Sequence, residues 1–139
     1  MFNRTGITKV SGAAPVQILF NVQNQMSVSV KLAKGFAGAV TENGRKIVKA
    51  GYPLSGDLTA RGTAFVAAAN NTADTGQASN AKPAVGILLH DVDVTDADGN
   101  ATLLIWGFVN LNRVDSTTAA LITADRKTEL AGKIWFLKD

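Results

Sequence analysis

The chain has 139 residues, 46% of them hydrophobic and 18% charged, a balance that excludes wholesale disorder and fits one domain with a real core. Cysteine is absent, which removes disulfides, thiolate nucleophiles and cysteine-based zinc or iron-sulfur sites. The formal charge of +3 arises from 14 Lys and Arg against 11 Asp and Glu. Lys31, Lys34, Arg45, Lys46, Lys49, Arg61 and Lys82 are scattered singly or in pairs, without the clustered stripe or interleaved aromatics of a nucleic-acid face.

Residues 1–15 offer only Phe2, Ile7 and Val10 as spaced apolar groups among Gly6, Gly12, Ala13, Ala14 and Pro15, and read as an extended arm. Asn3, Arg4, Thr5 and Lys9 interrupt the segment before a leader's apolar region forms, so no secretion signal is expected there. From residue 18 the pattern alternates. Ile18, Phe20, Val22, Met26, Val28, Val30 and Leu32 share one parity and polar residues mostly take the other, which predicts two strands broken near Asn24.

Asn43-Gly44 marks a tight hairpin turn, because both central positions favour positive φ, and a strand through Ile47 and Val48 should follow it. Residues 50–57 read as a strand end and a turn, with Pro53 unable to donate to a central ladder. A short apolar strand is expected over 63–69, then a long polar loop over 70–83. Residues 84–94 carry the strongest signal: an apolar run interrupted by Gly86, then Val92 and Val94 alternating with Asp91 and Asp93. That run is far short of the roughly 20 residues of a membrane helix. Residues 101–111 give a second strong strand, expected to pair with 84–94 as an antiparallel hairpin turning at Asp98-Gly99.

Asp115 or Ser116 can cap a helical turn, 123–130 reads as a short helix ended by Gly132, and residues 134–137 form a closing strand. The expected class is mainly β: a small barrel-like or sandwich-like single domain over 16–139, with one or two short helices near the C-terminus and an extended arm over 1–15.

The residues that carry chemistry do not assemble into a known site. Asp91, Asp93, Asp96 and Asp98 are the densest carboxylate group, but counting from Asp91 or Asp93 puts neither Gly at position six nor Glu at position twelve, as a calcium loop requires. Turn chemistry and a solvated strand face account for them. His90 is the only histidine, and a triad would need it beside Asp91 or Asp115, yet no G-x-S-x-G elbow accompanies it. Gly35, Gly38 and Gly44 match no phosphate-binding loop. Trp106 and Trp135 sit inside apolar strands, as core or interface anchors do. Neither an enzyme nor a cofactor is expected.

Residues 84–95, from Ala84-Val85-Gly86-Ile87 to Asp93-Val94-Thr95, then Asp98-Gly99-Asn100-Ala101 and Ile105-Trp106-Gly107-Phe108-Val109-Asn110-Leu111, resemble the signature hairpin of tailed-phage head decoration proteins. That group comprises the lambda-like head decoration and head-fibre base proteins. Ile47-Val48-Lys49-Ala50-Gly51-Tyr52-Pro53-Leu54 is similar to an upstream strand of the same proteins, and residues 122–137 to their closing helix and strand. The likeness spans residues 40–139.

The resemblance implies a small β-rich body, usually a homotrimer, on the outside of the virion's capsid at three-fold or local three-fold positions. Made in the host cytoplasm, such a protein clamps neighbouring major capsid proteins, with no nucleic-acid or membrane partner. Trp106, Phe108 and Trp135 are then candidate trimer-interface anchors, because apolar strands with few charges leave surface to hide. Phe2, Ile7 and Val10 are candidate capsid contacts on an arm that could add as a strand to a capsid subunit. Two alternatives stand beside it: the base domain of a head fibre, and a small-ligand or carbohydrate-binding β-domain, against which the 6% aromatic content argues.

Overall fold

The computed structural model describes residues 17–139. The second half of the first alternating stretch forms β1 (Met26–Leu32), with Val30 and Leu32 buried and Ser29 exposed. Next come β2 (Val40–Glu42) and β3 (Arg45–Val48), joined as expected by Asn43 (φ 51°) and Gly44 (φ 77°), the positive pair of a tight hairpin. The remaining strands are β4 (Pro53–Ser55), β5 (Val66–Ala67), β6 (Gly86–Leu88), β7 (Val92–Asp93), β8 (Gly99–Asn110) and β9 (Ile134–Leu137). A short 3-10 turn (Leu111–Arg113), α1 (Ser116–Ala119) and α2 (Ala124–Glu129) lie between the last two strands. With 36% strand and 11% helix the chain is mainly β, its two α-helices near the C-terminus.

The larger sheet runs β1-β8-β6-β4-β5, with β9 also on β8, and the smaller runs β2-β3-β7. The sheets do not close into a barrel, so the sandwich-like form is the one adopted. Every strand pair is antiparallel except β8 with β9. A parallel pair cannot be joined by a tight turn, and the helical segment between β8 and β9 supplies the crossover.

β8 divides the interior in two. Leu103 and Leu104 are both fully buried because the sheet is covered on both faces at this point. Leu103 and Leu88 join Val30, Leu54, Phe65 and the smaller sheet's Val48 and Val92 in one core. Leu104 and Ile87 join Val109, Val114, Leu130 and Ile134, beneath the helices, in the other. Gly86 allows this close layering: a Cβ there would lie 2.5 Å from the Leu104 carbonyl oxygen, a backbone atom that cannot swing aside. Gly86→Ala is expected to cost about 3 kcal/mol, the upper range for overpacking, measured as a lower urea midpoint with unchanged slope.

Several expectations change in physical detail. The alternating stretch gives one strand rather than two: residues before Asn24 make only a bridge, Leu19 to Val109, because successive bends follow it. Pro53 opens a central strand instead of ending one, which its missing N–H permits at a first position, and Leu88 N–H donates to the preceding Tyr52 carbonyl. The strand expected over 63–69 shrinks to Val66–Ala67 plus bridges at Phe65 and Ala69.

The 84–94 segment is not one strand but two. β6 pairs β8 as expected, with Ile87 opposite Leu104, whereas β7 departs to β3 in the smaller sheet. Asp98-Gly99 is therefore not a simple hairpin turn, and Gly99 is already the first residue of β8. Asp115 does cap α1, accepting from Thr118 N–H, and Gly132 (φ 78°) lies just past α2. The expected arm over 1–15, with Phe2, Ile7 and Val10, lies outside the described residues.

Candidate functional site

Each of the four carboxylates near β7 has a basic partner, with Arg45 serving two of them. Asp91 accepts from Ala50 N–H and pairs with Lys49 at 3.2 Å; Asp93 accepts from Arg45 Nε at 2.9 Å; Asp96 meets Arg45 Nη2 at 2.9 Å; Asp98 accepts from Lys34 N–H and pairs with Lys31. Asp91 and Asp93 are exposed while Val92 and Val94 are buried, the face separation that the alternation predicts. Among the described residues no three His, Cys, Asp or Glu side chains are gathered as a metal-binding group. His90 is exposed on the bend after β6, and both acids considered as its orienting partner are engaged elsewhere, Asp91 with Ala50 and Asp115 with Thr118.

Hydrogen bonding from Arg45, followed by that from Thr95, holds the Asp93 carboxyl at about 2, below its ordinary 3.8. Because the folded value lies below the unfolded one, this contribution to stability is complete above the ordinary value and is lost as pH falls through about 2. In a carbon-detected titration the Asp93 midpoint should stand near 2 and return toward 3.8 in Arg45→Ala. An unshifted midpoint in the parent protein would show that the pair does not form in solution.

The three aromatic residues singled out as anchors are brought together on the outer face where β8 meets β9. Register sets Trp135 beside Phe108, their rings stacked at 5.2 Å and 25°. Trp106 stands edge-on to both, 6.1 Å from Phe108 and 6.2 Å from Trp135. Such rings normally bury most of their surface. Here Trp106 and Trp135 remain 41% and 39% exposed.

The alternation of β8 breaks at Ile105: Met26 faces Trp106 while Ser27 faces Leu104, so the extra residue turns Trp106 outward although Leu104, two residues earlier, is in the core, and beyond it Phe108 lies outside and Val109 in the core. A Cβ on Gly107 would sit 3.2 Å from both Gln25 and Leu104 side chains. The sequence reading missed three neighbours of the trio. Met26 lies opposite Trp106 in the ladder, and Phe20 donates its N–H to the Phe108 carbonyl and so falls on the same face. Leu137 follows Trp135 by two residues. All three are exposed, Phe20 and Met26 by about half, although parity grouped Phe20 and Met26 with the buried Val30 and Leu32. The bends over residues 20–24 and the bulge at Met26 separate their fates, and the polar run Asn21-Gln23-Asn24-Gln25 is the signal that marks this break.

The described residues that meet on this face are exposed and apolar, a surface suited to covering by another apolar surface. No protein-family model matches the chain, and no curated protein matches it.

Proposed function

We propose that the chain is a capsid decoration protein that binds the outside of a tailed-phage head at three-fold or local three-fold positions and reinforces the shell as a homotrimer. The observation that carries this reading is the exposed face of Trp106, Phe108 and Trp135, widened by Phe20, Met26 and Leu137. Contiguous apolar surface of this kind marks an interaction site in a protein that is otherwise well packed, and aromatic anchors dominate such sites. The resemblance of residues 84–111 to the decoration-protein hairpin supplies the partner, a major capsid protein.

The arm, residues 1–15, completes the proposal as the capsid-contacting element, with Phe2, Ile7 and Val10 filling shallow pockets while its backbone adds to a capsid strand. Sedimentation of the purified protein, followed by co-pelleting with expanded heads stripped of their own decoration protein, tests both parts. The full chain should sediment as a trimer and saturate the heads. Deletion of residues 1–14 should keep the trimer and lose most of the affinity for heads. A strict monomer in solution and on heads sinks the trimer reading, and undiminished binding by the truncated chain moves the capsid contact to the body.

The same exposed rings favour a second reading, a sugar-stacking platform, in the sense that flat aromatic surface is what pyranose rings stack on. Trp106 stands at 86° to Trp135, so the trio does not present a single plane. Quenching of tryptophan fluorescence by soluble polysaccharides, with no trimer formed, would favour that reading.

A further inference from the structure

β1 lies at one side of the larger sheet, and part of its outer edge is open. Phe65 N–H donates to the Lys31 carbonyl at 2.8 Å, so that carbonyl points away from β8. The two-residue repeat turns the backbone groups of Ser29 and Ser27 the same way. A side chain, rather than a strand, meets the Ser29 carbonyl: Arg61 Nη1 donates to it at 2.8 Å. Among the described residues no backbone group pairs with the outward N–H of Ser29 or with the outward N–H and C=O of Ser27.

Along this edge runs a groove of about 550 Å³, lined by Ser29, Lys31, Leu58, Thr59, Arg61 and Asn100. Among the described residues its lining holds two cations, Lys31 and Arg61, and no carboxylate. Lys31 pairs with Asp98 at 3.4 Å, and the Asp57 carboxylate, outside the lining, accepts from the N–H and hydroxyl of Thr59. Arg61 has no carboxylate partner among the described residues, and its guanidinium rests on a neutral carbonyl. Leu58, exposed beside it, adds an apolar seat.

We propose that this groove is a peptide-binding edge that accepts an extended acidic segment of a partner polypeptide, added as a strand beside β1 with a carboxylate on Arg61. Backbone hydrogen bonds to Ser27 and Ser29 provide affinity, and alternate side chains provide selectivity through Arg61 and Leu58. Arg61 holds the place until then. On binding it exchanges the Ser29 carbonyl for a charge-assisted, forked contact with the carboxylate, and an N–H of the incoming strand takes over that carbonyl. A second copy pairing through its own β1 fits less well, because it sets two Arg61 and two Lys31 along one short edge. The inference is independent of the capsid reading and of the aromatic face.

The test uses the full chain and two capped eight-residue probes, one alternating valine with glutamate and the other valine with lysine. Fluorescence anisotropy and amide hydrogen exchange are the readouts. The acidic probe should saturate and slow exchange at Ser27 and Ser29, whereas the basic probe should not. Arg61→Glu should weaken the acidic probe by roughly tenfold or more and reverse the preference. Ser29→Pro removes an outward N–H while leaving the ladder to β8 intact, and should abolish binding of the acidic probe. Should that variant unfold, the charge reversal and the exchange map still decide. No binding at millimolar probe, equal binding of both probes, protection confined to another strand, or probe-free pairing of copies through β1 each overturns the proposal.

Discussion

On the proposed trimer, replacing Trp106 and Trp135 together by glutamate should give a folded monomer. The two residues are 41% and 39% exposed, and their rings pack on each other and on Phe108. Losing that mutual stacking costs about 1 kcal/mol per ring pair, which leaves the two interior cores intact. Across an interface the same rings act as anchors worth roughly 2 kcal/mol or more each, and buried glutamates add desolvation, so association should weaken by about a thousandfold or more. Sedimentation equilibrium reads the assembly and far-UV circular dichroism the fold. An unchanged assembly would move the interface off this face, and the neutral control Met26→Gln should weaken association only modestly.

Arg126→Ala should be the most damaging single change outside the aliphatic core. The Arg126 residue is 3% exposed, and its guanidinium joins three pieces of chain. It donates to the Lys82 carbonyl and to the Asn70 side chain at the two ends of the polar loop, and pairs with Glu129 at 3.2 Å. Glu129 in turn accepts from Ala84 N–H at the entrance to β6. Truncation takes the donor from the Asn70 amide oxygen and one of two donors from the Lys82 carbonyl and the Glu129 carboxylate, which keep Ala69 N–H and Ala84 N–H, and broken buried pairs cost about 3–5 kcal/mol. Because Glu129 keeps some solvent access, the lower end applies, about 3 kcal/mol or a fall of roughly 10 °C in melting temperature. Arg126→Lys should recover little, since one ammonium cannot serve three acceptors arranged for a planar fork. A loss under about 1 kcal/mol on urea unfolding would mean that the loop is not fastened there.

What the sequence disclosed follows the reach of local forces. Asn43-Gly44, the Asp115 cap and Gly132 act over four residues or fewer, and each appears where its chemistry predicts. Alternation likewise told which residues of 91–94 share a face. It could not tell which partner covers that face, so 84–94 read as one strand although its halves serve different sheets. For the same reason Met26 and Val30 had one parity and opposite burial. The aromatic trio was visible as residues but not as a surface, because its meeting depends on the parallel β8 and β9 pairing, which joins Phe108 to Trp135 across 27 positions. Arg126 gave no local signal: in a short polar helix an arginine reads as solvated, and only the loop folded over it shows otherwise.

β8 has a further consequence for the order of events during synthesis. It is the common neighbour of β1, β6 and β9, and it leaves the ribosome well after β1. Met26 must wait for Trp106, about 80 residues behind it, and at 5–20 residues per second that interval lasts roughly 4–16 s. During that time Met26, Val28, Val30 and Leu32 have no ladder, and the larger sheet cannot begin from its N-terminal side. The pairing with β9 comes later still, so the larger sheet is completed only after the helical segment and β9 have been released. Long-range pairing of this kind makes for slow folding and prolonged exposure of apolar strand. Nascent-chain stability should therefore rise in a single late step, once β8 clears the exit tunnel, rather than accumulate strand by strand.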